Sequence, residues 1–210
     1  EIEFAINLER KDALPARVGF LQVRPMMVGS EHIEVSEDDL EADSLVLASE
    51  TVLGNGERND IEDVVFVRPD AFEPAETPAI AKELEGINRR LAREGRKYLL
   101  IGFGRWGTSD SSLGIPVAWG QISNARVIVE ATLPDVQPDL SQGSHFFHNL
   151  LSFHVLYVSV EHHGPYRIDW EWLGRQPIVE STGHVTHVRL QSPLEIRVDG
   201  AHGRGVICRG

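Results

Sequence analysis

Apolar residues in this chain recur mainly at strand spacing, and that pattern constrains the fold more than any other feature. Residues 1–8, EIEFAINL, alternate apolar and polar, with Ile2, Phe4, Ile6 and Leu8 in phase. Residues 17–24, RVGFLQVR, alternate again and stop at Pro25, which predicts two strands paired antiparallel across a charged loop. Further strands are predicted over 44–53, 61–68, 97–101, 125–130, 154–160, 178–181, 184–190, 194–199 and 204–209. Gly54-Asn55-Gly56 marks a turn, and Asp199-Gly200 with Gly203 marks a hairpin between the last two strands. Helical spacing is clearest from Pro78 to Glu94, where Ile80, Leu84, Ile87 and Leu91 recur every three or four residues. Thr77-Pro78 suits a helix start and Gly95 a helix stop. Shorter helical segments are predicted near 36–42 and 116–122, and a longer one over 142–153 with Ser141 as its cap. Helices inserted at intervals without regular βαβ alternation predict an α+β fold: a mixed, largely antiparallel sheet with a few inserted helices.

Charge narrows the partners. Twenty basic and 32 acidic residues in 210 give a net charge of -12. That balance opposes non-specific binding to nucleic acid and to anionic membrane surfaces, where Lys and Arg supply the affinity. Apolar runs fall well short of the roughly 20 residues that cross a bilayer. The single cysteine, Cys208, permits no internal disulfide and fits a reducing, cytoplasmic setting. A strand pattern that already runs at Glu1 predicts that the chain is a piece of a larger enzyme.

Three places carry residues suited to chemistry. The first is the N-terminal strand pair, where Glu3, Gln22 and Arg24 fall at polar positions; a carboxylate can hold magnesium and an arginine can pair with phosphate oxygens. The second is Gly102-Phe103-Gly104-Arg105-Trp106-Gly107, which follows an apolar strand and reads literally as G-x-G-x-x-G, with Glu130 ending a later strand. A dinucleotide site needs a helix to start among those glycines, and the Ser/Gly-rich run up to Pro116 leaves little room for one. The loop has two other readings. In one, Arg105, Ser109 and Asp110 bind a small anion with Trp106 as a wall. In the other, Arg105 pairs internally and Trp106 packs in the core. The third place is the helix carrying Gln142, His145 and His148, two histidines on one face with no third metal ligand marked. His145 is a candidate acid or base. His162-His163 beside Gly164-Pro165 reads as a turn. Lysines occur only at 11, 82 and 97, so arginine is the expected anion binder.

EIEFA (1–5) followed by FLQVRP (20–25) resembles the closing strands of the ATP-grasp domain in the phosphoenolpyruvate synthase and pyruvate phosphate dikinase family. LLIGFGRWGTSDSSLGIPVAW (99–119) and SQGSHFFHNL (141–150) resemble the region that follows this domain in bacterial proteins labelled PEP/pyruvate-binding. The resemblance implies a boundary near residue 28: strands 1–28 end an ATP-grasp-like domain, and 29–210 form an α+β domain. It implies an ATP-dependent kinase or phosphotransferase acting on a pyruvate-like substrate, with ATP and Mg as cofactors. Glu3 would then contact metal and ATP, Gln22 and Arg24 the phosphates, and the partners would be a small anionic or phosphorylated ligand and the remaining domains of the same polypeptide. Upstream ATP-grasp segments, a Thr-Ser-His stretch of a phosphohistidine domain and a PEP/pyruvate barrel, which takes about 250 residues, are absent from the 210 residues, so the fragment alone is expected to be inactive. The alternative is a non-catalytic module that binds a small anion or docks domains, centred on Arg105, Trp106, Asp110 and His145.

Overall fold

The computed structural model describes residues 2–7, 17–23, 33–108, 110, 112–134, 146, 149–150 and 152–210. Its class is α+β, as the sequence predicts: a mixed sheet with more antiparallel than parallel pairings and a few helices. Strands β1 (Ile2–Asn7) and β2 (Arg17–Val23) form a two-stranded antiparallel sheet of their own. Their register pairs Phe4 with Phe20 and Ile6 with Val18, and all four side chains are exposed.

The main sheet has nine strands. After a 3-10 turn at Asp38–Glu41 come β3 (Leu45–Ser49), β4 (Val52–Leu53) and the long β5 (Gly56–Val67). Helix α1 (Thr77–Arg93) leads to β6 (Tyr98–Phe103), followed by the short pair β7 (Arg105–Trp106) and β8 (Gly114–Ile115). Helix α2 (Trp119–Ile122), β9 (Ala125–Ala131) and β10 (Leu156–Val160) come next; Phe146, Asn149, Leu150 and Ser152 are helical in between. Helix α3 (Trp170–Gly174), β11 (Ile178–Ser181), β12 (Val185–Asp199) and β13 (Arg204–Cys208) complete the chain.

Sheet order is β3-β13-β12-β5-β6-β9-β10-β4, with β11 beside β12. The centre, β5-β6-β9-β10, is parallel, which helical crossovers allow and tight hairpins do not. Strands buried on both faces are largely apolar: YLLIGF of β6 is wholly buried, and LYVSV of β10 likewise, with Ser159 its one hydroxyl besides Tyr157. Helix α1 lays Ile80, Leu84, Ile87 and Leu91 into this core, each burial contributing about 1.5–3 kcal/mol. Its end follows the Schellman pattern: Gly95 takes φ +66°, its N–H bonds the Ala92 carbonyl, and the Arg96 N–H bonds the Leu91 carbonyl. Buried Asn88 ties the helix to its neighbours, accepting from the Tyr98 hydroxyl (3.1 Å) and the Asn124 N–H (3.0 Å).

Two sequence expectations need correction. The predicted strand over 44–53 divides in two: β3 pairs with β13 and β4 with β10. Segments 184–190 and 194–199 form one strand, β12, whose pairing with β5 is interrupted between Arg189 and Leu194, around Pro193. Proline has no N–H for the ladder, so the sequence showed a break where the chain continues in the same direction.

Candidate functional site

Packing explains the glycines of the Gly-rich loop. A Cβ on Gly102 would stand 2.5 Å from the Trp106 ring, and one on Gly104, where φ is +69°, would stand 2.6 Å from the Leu113 carbonyl oxygen. At Gly114 a Cβ would meet the Arg105 backbone at 2.1 Å. The glycines thus let β7 and β8 pair at close range and let the indole lie against β6. Gly114→Ala is expected to lower stability by about 1–3 kcal/mol in a urea melt, and an unchanged midpoint would contradict this packing account. Residues Gly104–Thr108, all described, hold β7 and a turn, so the helix that a dinucleotide fingerprint requires does not start there. Glu130 departs from that reading too. It is paired with Gly102 inside the parallel ladder, is 1 % exposed, and accepts a hydrogen bond from the Tyr157 hydroxyl. Burial and the Glu130 charge push the Tyr157 hydroxyl well above its ordinary pKa.

Trp106 is a core residue. It is 1 % exposed, and its indole N–H donates to the Val129 carbonyl at 3.1 Å. Arg105 is half-buried on β7. Asp110 is exposed and closes its own turn: its carboxylate accepts from the Ser112 hydroxyl and N–H, which lowers its pKa. Phe146 packs on this loop, since a Cβ on Gly107 would lie 2.7 Å from its ring. Ser109, Gln142, His145 and His148 lie outside the described residues, as does Arg24. Glu3 and Gln22 occupy directly paired positions of the β1–β2 ladder.

Two constellations were not singled out in the sequence. The first is a buried charge network on β5, β12 and the end of α1. The Asp63 carboxylate, 1 % exposed, accepts from His187 Nε2 (2.7 Å), Arg96 Nε (2.5 Å) and Arg189 Nε (2.9 Å). Arg90 Nη2 lies 3.0 Å from His187 Nδ1. A guanidinium can only donate, so Nδ1 accepts and the ring proton sits on Nε2, facing Asp63. Burial alone would raise the Asp63 carboxyl, but the bonds from His187, Arg96 and Arg189 outweigh it and hold it down at about 2. Glu62, Glu94 and Glu180 surround these arginines, so each cation already has acidic partners. The network is a clasp between strands and helix.

The second is a cleft at the carboxyl ends of the parallel strands. Phe103, Ala131 and Val160 end β6, β9 and β10 level with one another in the ladder. All three line the cleft, together with Thr132, Glu161, His162, Arg167 and Trp170. In open sheets with parallel strands, ligands bind at this edge. His162, of the His162-His163 turn, is therefore part of a cleft wall, placed by the hydrogen bond from its N–H to the Thr132 hydroxyl at 2.7 Å. Among the described residues no three His, Cys, Asp or Glu side chains gather as a metal site, and no helix is long and apolar enough to cross a membrane.

Comparison with protein-family models, with curated proteins and with solved structures finds no match for this chain.

Proposed function

We propose that this chain belongs to a cytoplasmic ATP-dependent phosphotransferase that acts on a pyruvate-like substrate, contributing the last two strands of an ATP-grasp-like domain (1–28) and the α+β domain after it (29–210). The observation that carries this reading is the register of the hairpin. Within the two motifs, Ile2 to Ala5 pair antiparallel with residues between Gly19 and Val23, with Glu3 opposite Gln22. One carboxylate and one amide at paired positions supply oxygen ligands suited to Mg²⁺ and a donor suited to phosphate oxygens. In this reading Glu3 holds the metal, while Gln22 and Arg24 orient the phosphates; Mg²⁺ would neutralise charge on the transferred group. The remaining ATP-grasp segments would come from other parts of the same polypeptide.

Two measurements test it. In the polypeptide that includes the preceding region, Glu3→Gln is expected to weaken Mg-ATP binding at least tenfold by calorimetry, from the loss of a charged ligand. Residues 1–210 alone are expected to transfer no phosphate from ATP. Unchanged ATP affinity in the variant, or robust ATP-dependent phosphorylation by residues 1–210, would overturn the reading.

A further inference from the structure

The cleft at the ends of β6, β9 and β10 combines an apolar wall with donors that the protein leaves unused. Phe103 and Trp170 form the wall, their ring centroids 5.7 Å apart and their planes tilted by 39°. Thr132 is 8 % exposed and lines the same space. Its oxygen accepts from the His162 N–H, and its own O–H has no acceptor among the described residues. A buried hydroxyl proton without an acceptor costs stability unless something bound takes it.

Arg167 stands at the rim. One nitrogen, Nη1, donates to the Gly164 and Tyr166 carbonyls, which fixes the plane of the guanidinium. No carboxylate pairs with it among the described residues, whereas Arg175, Arg189, Arg197, Arg204 and Arg209 are all ion-paired. In a chain of net charge -12, an arginine held in place beside an apolar cleft without an acidic partner is suited to an anion from outside. Glu161 lies on the same rim and is exposed. Its charge opposes a dianion more than a monoanion. The space itself is about 110 Å³, which limits the occupant to a small molecule.

We propose that this cleft binds a small monocarboxylate with an apolar body. Arg167 and the Thr132 hydroxyl donate to the carboxylate, and Phe103 and Trp170 cover the carbon skeleton. A fork of guanidinium donors matches a planar carboxylate. The site is built from residues 103–170 and does not depend on the Glu3–Gln22 hairpin, so it stands or falls apart from the phosphotransferase reading.

The test is an NMR titration of residues 1–210 with benzoate, its neutral isostere benzamide, and inorganic phosphate. Saturable shifts at Thr132, His162 and the Trp170 indole are expected with benzoate. Benzamide and phosphate should each bind about tenfold more weakly or worse. Arg167→Gln and Thr132→Val should each weaken benzoate severalfold or more; Arg167 is exposed, so its variant should keep the parent Tm and serves as the folded control. The proposal is overturned if benzoate gives no saturable shift, if benzamide or phosphate binds as tightly, or if Arg167→Gln binds benzoate like the parent.

Discussion

Alanine at Asp63 is expected to lower the unfolding free energy by about 3–5 kcal/mol, the usual result of removing one partner from a buried ion network. The carboxylate receives His187, Arg96 and Arg189 at once. Its loss leaves two arginines without their shared acceptor and a fully buried imidazole N–H unsatisfied. Denaturant titration of Asp63→Ala against the parent checks this, and a difference below 1 kcal/mol would show that the network contributes little. The same group predicts an acid dependence. The folded Asp63 pKa is depressed from 3.8 to about 2, so its contribution is fully present above the unfolded value and is lost as pH falls from about 4 toward 2. That acid-sensitive increment should be missing from Asp63→Asn.

Trp106→Ala should have an effect of similar size, about 3–5 kcal/mol, because one of the largest fully buried side chains leaves the core. The indole touches Gly102 closely, and its N–H satisfies the Val129 carbonyl in the middle of β9. Trp106→Phe keeps most of the ring volume and loses the hydrogen bond, for a smaller cost of about 1 kcal/mol beyond repacking. If Trp106→Ala instead stays within 1 kcal/mol of the parent, the ring is not a core member, and the ligand-wall reading of the loop returns.

Much of the local structure was legible in the residues. Ile80, Leu84, Ile87 and Leu91 name the buried face of α1, and Gly95 its end, because helical period and a left-handed stop are local properties. The β1–β2 pairing was legible for the same reason: alternation and a proline fix a hairpin with short sequence separation. The parallel centre of the sheet was not. Apolar runs such as YLLIGF and LYVSV show burial on both faces but carry no mark of which strand lies alongside. The G-x-G-x-x-G pattern was ambiguous for a related reason, since glycines needed for close packing and glycines needed for a phosphate look alike, and only the missing room for a helix counted against a dinucleotide site. Asp63 lies on β5 while His187 and Arg189 lie on β12, 124 and 126 residues away in sequence, so no local spacing announced the cluster.

Amino-acid order alone determined the α+β class, the main helix, the acidic surface and the polar positions of the first hairpin. These follow from periodicity, turn chemistry and charge, which act within a few residues. Tertiary structure alone decided that Trp106 and Glu130 are interior, that Asp63 is the acceptor of a three-donor clasp, and that Thr132, His162, Arg167 and Trp170 surround one cleft. Each depends on which strands become neighbours across long stretches of chain, and that is settled by the summed burial of the whole sheet rather than by any local signal.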